Sequence, residues 1–525
     1  MLLAKRWKAG CIFFFLLSAL AVPLSRSSAR AASADPPPLA VKNEPLAPES
    51  VLPGQLTPYF DRFRLPEGYS LRYPRERMPW RGDVPLFDRL FVTPILVSDT
   101  LYKSRKNLDF RPRLGGDFTE TNQFSRQILF YGAEIKDGDD VFDPARWRLR
   151  AVGAWQYDRD LNALEGNTSD TDAALQEAFG DLRLFEIGKN LDLTFLRAGL
   201  QVFQSDFHGL VLFDNIAGGR VFGEIDRNRW RYDLVAASRV FKDARTGLVE
   251  FNDNREQMAY LARLTRDDLI PGWNAELSFA YNSDKFNRNL DVGYASLTFN
   301  GNLGRLGFNP AVHLAAGKDD RNPFAGRSVD ILAALFVLDM AYTFDAADWL
   351  TWRLSYAHAT GDSDPTDSRA SGFDSINDTT VNLFGGPASY FVGENIKLGN
   401  TDLVRGNSFL PSLRGGNATS NFVNPGIHAV GTGFEAQLSH RVFAFVNTNY
   451  YRFANTQVLE QLVGRRVDKS IGVEGNTGFF FRPFLDEVVI VGVALSYLKP
   501  NSGLRDLFGT DESVYSVSVN LKLAF

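Results

Sequence analysis

The chain has 525 residues, 44% apolar and 23% charged, with a formal charge of −5 at neutral pH. Five basic residues and no acids fall in the first 31 positions, so the remainder carries about −10, which argues against a nucleic-acid binder. The single cysteine, Cys11, lies in that same stretch and leaves the rest without disulfides, Cys metal ligands or Cys nucleophiles.

Residues 1–31 read as an export signal. Lys5, Arg6 and Lys8 precede the short apolar run Cys11–Leu24, and "ARA" (29–31) offers small residues at a cleavage spacing. A membrane anchor is the weaker reading, because the run is short and Pro23 interrupts it. Residues 32–90 are Pro-rich and open on "ADPPPLAVKNEPLAPES"; they are expected to form an extended periplasmic segment that plugs a lumen, touches a partner or is a plain tail.

From residue 91 onward the pattern has period two. In "RWRLRAVGAWQYD" (146–158), Trp147, Leu149, Ala151, Trp155 and Tyr157 share one side, while Arg146, Arg148, Arg150, Gln156 and Asp158 share the other. "LTWRLSYAHATGD" (350–362) sets Leu350, Trp352, Leu354 and Tyr356 against Thr351, Arg353 and Ser355. The last residues, "YSVSVNLKLAF", put Tyr515, Val517, Val519, Leu521, Leu523 and Phe525 on one face and Ser516, Ser518, Asn520 and Lys522 on the other. Three arginines on one strand face are costly in a dry core and cheap in a watery lumen. Segments of about ten residues match tilted strands that cross a bilayer. The expected fold is all-β: a transmembrane antiparallel β-barrel of about 18 strands (16–20), with short periplasmic turns and long outer loops. A secreted all-β protein is the second reading.

In chain order the predicted strands are one within 92–112, then 123–135, 146–158, 173–185, 191–204, about 208–225, 229–241, 256–266, 272–282, 290–300, 308–318 and 329–344. They continue with 348–360, 428–438, 442–453, 468–480, 486–498 and 512–525. Short links at 186–190, 301–305, 345–348, 439–441 and 482–487 are expected in the periplasm. Longer ones near 159–172, 242–255, 454–467 and 499–511 are expected outside, as is the very long loop 361–427, of a kind that in barrels often folds inward and narrows the pore.

Parity assigns Arg146, Arg148, Arg150, Arg197, Gln201, Arg229, Arg231, Arg263, Arg353 and Lys522 to the pore lining. Glu177, Asp181, Glu276, Glu435 and Glu474 share the wet faces, so the lumen is mixed in sign. Two readings stand: the arginines attract an anionic cargo, or they pair with these acids and hold shape. Asp362, Asp364 and Asp367 in the long loop are candidates for a constriction or an ion site, against a plain solvated loop. The five histidines, His208, His313, His358, His428 and His440, show no metal-ligand spacing, and His358 shares parity with Tyr356 and so points toward lipid or the rim. No enzyme activity and no cofactor are expected.

"YAHATGDSDPTDSRASGFDSINDTTVNLFGG" (356–386) resembles a stretch of alginate-export-type outer-membrane porins, through Tyr356, Ala357, Gly361, Asp362, Asp364, Asp367, Phe373 and Phe384. "EAFGDLRLFEIGKNLDLTFLRAGLQVFQSD" (177–206) is similar to that family in Arg197, Gly199 and Gln201, and departs from it at Gln176, where the family has Arg. The resemblance implies an 18-stranded monomeric passive channel, with arginines that attract a polyuronate in the alginate exporter. The function expected is a porin-like channel for hydrophilic solutes, anionic or saccharide. The alternative is a non-conducting barrel that serves as scaffold, receptor or partner-dependent export component. The partners expected are membrane lipid and lipopolysaccharide, the barrel-assembly machinery through Phe525, and a hydrophilic solute or polysaccharide.

Overall fold

Alternation along each strand sorts the side chains into two environments. On Trp147–Ala163, Leu149 and Trp155 are 56% and 36% exposed, while Arg150, Gln156 and Asp158 are 6% exposed or less. A soluble sheet buries its apolar face; here the apolar face is outside and the polar face inside, as bilayer and lumen demand. In this computed structural model, residues 84–524 are described apart from 88, 107–120, 139–143, 164–165, 188–191, 244–245, 287–288, 381–382, 416–417 and 485–487. The expected signal, nearly all of segment 32–90, and Phe525 lie outside the described residues.

Eighteen long strands form one antiparallel meander. They are β1 (Leu90–Lys106), β2 (Thr121–Asp137), β3 (Trp147–Ala163), β4 (Gly166–Glu186), β5 (Leu193–Gln204) and β6 (Phe213–Ile225). Next come β7 (Trp230–Lys242), β8 (Val249–Ile270), β9 (Trp273–Asp284), β10 (Leu290–Leu303), β11 (Leu306–Asn322) and β12 (Arg327–Thr343). The last six are β13 (Leu350–Ala359), β14 (Ile427–Ser439), β15 (Val442–Phe453), β16 (Ser470–Phe481), β17 (Val489–Pro500) and β18 (Val514–Ala524). β18 pairs back onto β1, from Val97↔Ala524 to Lys106↔Tyr515, and this closes the barrel. Closure leaves no open edge, the condition for crossing lipid with strands. No described helix is long and apolar enough to span a membrane.

Each predicted strand overlaps one of these. Two expected outer loops are strand instead. Residues 159–163 and 166–172 belong to β3 and β4, whose pairing runs on to Ala163↔Gly166, and 249–255 belong to β8. Paired polar residues such as Asp158↔Asp170 and Asp160↔Thr168 carry that ladder past the apolar band, because backbone pairing does not require apolar side chains. On β4 a bulge between the Val152↔Glu177 and Gly153↔Leu175 pairs leaves both Gln176 and Glu177 buried.

Candidate functional site

The inward face of β2–β9 is a lattice of charges joined across neighbouring strands. Arg150 Nε donates to Glu177 at 2.6 Å and its Nη1 to Glu134 at 3.3 Å. Arg197 grips Asp181 with two bonds of 2.6 and 2.8 Å. Asp233 is shared by Arg220, at 2.5 Å, and Arg263. Arg239 and Lys242 both hold Asp214, and Arg255 meets Asp284 at 3.1 Å. Arg197 and Arg220 stand directly opposite each other across β5 and β6, a like-charge juxtaposition relieved by their separate carboxylates. Phe179 lies 4.0 Å from the Arg197 guanidinium, and Phe222 4.5 Å from that of Arg220. Several polar atoms of this buried wall have no hydrogen-bond partner among the described residues: Nη2 of Arg150 and of Arg220, Nε2 of Gln176, and both amide atoms of Gln201.

The second component is the long loop between β13 and β14. Its two stems are pinched together. A Cβ on Gly361 would lie 2.0 Å from the Pro425 carbonyl oxygen, and one on Gly426, at φ 58°, would lie 2.4 Å from that of Thr360. The Asp362 N–H donates to the Asn424 carbonyl and the Phe373 N–H to that of Thr360. From there the loop turns into the barrel. Phe373, Tyr390, Phe391, Phe409 and Phe422 are at most 1% exposed and pack in one apolar cluster with inward residues such as Ile216, Val292 and Ala315. Burying several aromatic side chains, at about 1.5–3 kcal/mol each, offsets the ordering of so long a loop.

Arg414 centres this body. Its guanidinium donates to Asp374 at 2.9 and 2.7 Å, to the carbonyls of Ser375, Ile376 and Ala418 at 2.6, 3.1 and 3.2 Å, and to Ser375 Oγ at 2.9 Å. Wall contacts come from well-separated strands. Glu394 accepts from Lys103 at 2.9 Å and Arg105 at 3.0 Å on β1. Tyr294 of β10 donates to the Asp374 carbonyl at 3.2 Å. Glu474 of β16 accepts from Ser389 Oγ at 2.8 Å and from the Tyr390 N–H. Asn449 of β15 donates to the Phe384 carbonyl at 2.7 Å, and Phe384 has a φ of 58°. A shorter outer loop, 205–212, folds in beside it: the Phe213 N–H donates to the Asn377 carbonyl at 2.7 Å, and Leu212 bridges Asn377. In that loop burial pushes the Asp206 carboxyl up. His313, Ser205 Oγ and the N–H groups of Leu210 and Val211 outweigh burial and hold it below its ordinary range.

Arg148, Arg150, Arg197, Gln201, Arg231, Arg263 and Arg353 lie on inward faces, and all but Gln201 meet a carboxylate. Lys522 stands opposite the buried Asp99. Arg146 is exposed just before β3, and Arg229, with its side chain 57% exposed, sits in the 226–229 turn. Both stand at strand ends, because parity carries no information once the strand has ended. Asp364 and Asp367 are exposed and serve their own turn, accepting from Thr366 and Arg369. Asp362 is buried at the stem. These three make no joint cage, and among the described residues no group of three or more His, Cys, Asp or Glu side chains could hold a metal. The inner body is built by 373–423 instead. Sequence reasoning missed Arg126, Arg220, Arg239 and Arg255. Arg239 shares the parity of Arg231, so the signal was present; Arg255 was hidden in a stretch read as loop.

No protein-family model and no curated protein matches the chain. Solved structures do. OccK1 (OpdK) of Pseudomonas aeruginosa superposes with a TM-score of 0.50 at 11% identity, covering 83% of this chain and 98% of that one. The fold is that of an outer-membrane porin. OprD of the same organism gives 0.48 at 13% identity over 83% and 94% of the two chains. A BenF-like porin of Pseudomonas fluorescens Pf-5 gives 0.49 at 8% over 83% and 98%. At such identities the likeness is one of fold. What is shared with these structures is the antiparallel barrel, and nothing in it singles out alginate exporters.

Proposed function

We propose that the chain is a constricted outer-membrane channel for passive passage of small hydrophilic solutes, with preference for those bearing a carboxylate. The observation that carries this is the set of buried donors left over on the inward wall: Arg150 Nη2, Arg220 Nη2, Gln176 Nε2 and the Gln201 amide. A buried donor without a partner costs about 1–3 kcal/mol, so this wall favours a polar visitor that accepts hydrogen bonds. The lattice is close to balanced in sign, which supports modest rather than strict anion selectivity. Polyuronates and neutral saccharides remain within this class.

The inward loop favours a second reading. Anchors on β1, β10, β15 and β16 tie it across the lumen, which suits a barrel that conducts only when a partner or ligand moves it. The test is conductance of the refolded protein in a planar bilayer, followed by the reversal potential across a KCl gradient. Discrete steps with anion preference are expected, with current block by small carboxylates or uronate oligomers. Arg220→Ala should lower the anion-to-cation permeability ratio by roughly two- to five-fold, as loss of one charge from a low-dielectric constriction implies. A folded barrel that stays silent would reject the open-channel reading in favour of the second.

A further inference from the structure

A row of basic and imidazole side chains crosses the outside of the barrel at one height. Phe336, His358, His428, Arg452 and Ser470 stand directly opposite one another in sequence across β12 to β16. Their immediate neighbours Ala357, Ala359, Ile427, Ala429, Tyr451 and Phe453 are buried at 0%, so the row faces outward. The rings of His358 and His428 stack with centroids 4.1 Å apart, and the Tyr356 hydroxyl lies 3.3 Å from His428 Nδ1. His358 Nδ1 is buried and has no hydrogen-bond partner among the described residues, which leaves the other ring nitrogen as the one to meet a ligand. Arg452 is exposed. Lys469, just beyond the strand end, rests its ammonium on the Ala454 carbonyl at 2.6 Å, and both cations bear on His428. Asp468 shares the field of Arg452 and accepts from the Ser470 N–H at 2.8 Å.

The height of the row identifies its surroundings. His428 and Leu438 lie at the two ends of the outward face of β14, with Val430 and Phe434 exposed between them. At about 3.3 Å per residue and a tilt near 40°, these ends are separated by about 25 Å along the membrane normal, the height of the apolar band of such barrels. The row therefore sits where acyl chains give way to headgroups, on the side of the long loops. The inward arginines of the wall meet carboxylates; Arg452 points outward toward lipid.

We propose that His358, His428, Arg452 and Lys469 bind a phosphate of an outer-leaflet phosphoglycolipid, the guanidinium and ammonium meeting the anion while the imidazoles donate to its oxygens. This rests on the outer-membrane barrel reading. The full chain is refolded in detergent, its folding is checked by heat-modifiable gel mobility, and retention of diphosphoryl lipid A is read by native mass spectrometry. One lipid should be retained per barrel, with inorganic phosphate competing. The double variant Arg452→Gln, Lys469→Gln should lose retention by about ten-fold or more, as expected for lost charge-assisted hydrogen bonds. His358→Gln should lose less, and Arg305→Gln, at a periplasmic turn, nothing. Arg452→Gln alone decides the matter where the double variant does not fold. Equal retention in all variants, or equal retention of a phosphate-free analogue, would overturn the site as mere acyl adhesion. Failure of the barrel reading would show separately, as absence of any heat-modifiable form.

Discussion

Arg414 in the inward loop and Arg220 in the wall are both almost fully buried, and each is held by an aspartate. They differ in what is left over. Arg414 uses Nε, Nη1 and Nη2, on one carboxylate, three carbonyls and a hydroxyl. Arg220 keeps Nη2 without a partner among the described residues. A saturated guanidinium is a structural cross-link that specifies one loop conformation. An unsaturated one retains capacity for something that comes and goes. The loop and the wall thus draw on the same residue types for opposite purposes.

The sharpest way to break that contrast is to remove the cross-link. Arg414→Ala leaves Asp374 buried without its cation, a loss of about 3–5 kcal/mol for a buried pair. The loop body should come free of the wall while the barrel still forms. The expected outcome is a several-fold rise in single-channel conductance together with new protease cleavage within 373–423. Replacing Asp374 by Ala as well should recover part of the closed state, because no unpaired charge then remains buried.

The anchor on β1 is the next test. Burial pushes the Glu394 carboxyl up, but the Lys103 ammonium and Arg105 guanidinium outweigh it and hold it below its ordinary range. A depressed carboxyl contributes stability that is present above its unfolded value, about 4.3, and lost as pH falls through the lower folded value. Conductance should therefore stay flat from neutral pH down to about pH 4 and rise only below it. Glu394→Gln should already show the raised conductance at neutral pH, with a smaller effect than Arg414→Ala, since Glu394 is one anchor of several. A Glu394→Gln variant with the parent's conductance at neutral pH and the parent's rise below pH 4 would remove Glu394 from the anchor set.

How much of this was legible beforehand depends on periodicity. Strand positions followed from alternation, which a two-residue repeat encodes locally; this is why strand β15 at Val442–Phe453 was read to the residue. The wall arginines on clean strands, such as Arg150 and Arg197, followed from the same parity. The inward course of the long loop was open as a hypothesis from its length alone; the residues that pack it were not legible. Its Gly, Asn, Asp and Ser content reads as solvated, yet Phe373, Tyr390, Phe391, Phe409 and Phe422 recur within it at irregular spacing, and that apolar share was the available clue. Irregular segments pack through contacts distant in sequence, so no local period announces them. Which arginine is saturated is still less visible, because it depends on carbonyls brought in by the fold.

The smallest effect concerns the loop stem, and it tests whether the acidic cluster there has any role beyond holding shape. Asp362 is buried, with Oδ2 lacking a partner among the described residues and Oδ1 3.3 Å from Ser371 Oγ. Burial raises its carboxyl to about 6. A raised carboxyl prefers the protonated form in the folded state, so the stem is least strained at acid pH and loses stability as pH rises from about 4 through about 6. Asp362→Asn supplies a neutral side chain of the same shape. It should stabilise the closed loop at pH 8 by less than about 1 kcal/mol once solvent screening is allowed for, and leave it unchanged near pH 4. The readout is the protease susceptibility of 361–427 in the two buffers. A variant less stable than the parent at pH 8 would mean that the charged form of Asp362 is used, and an ion at the stem would then be the next candidate to test by calcium titration. A variant more stable at pH 8 alone would leave the stem acid as a passenger and confine function to the wall.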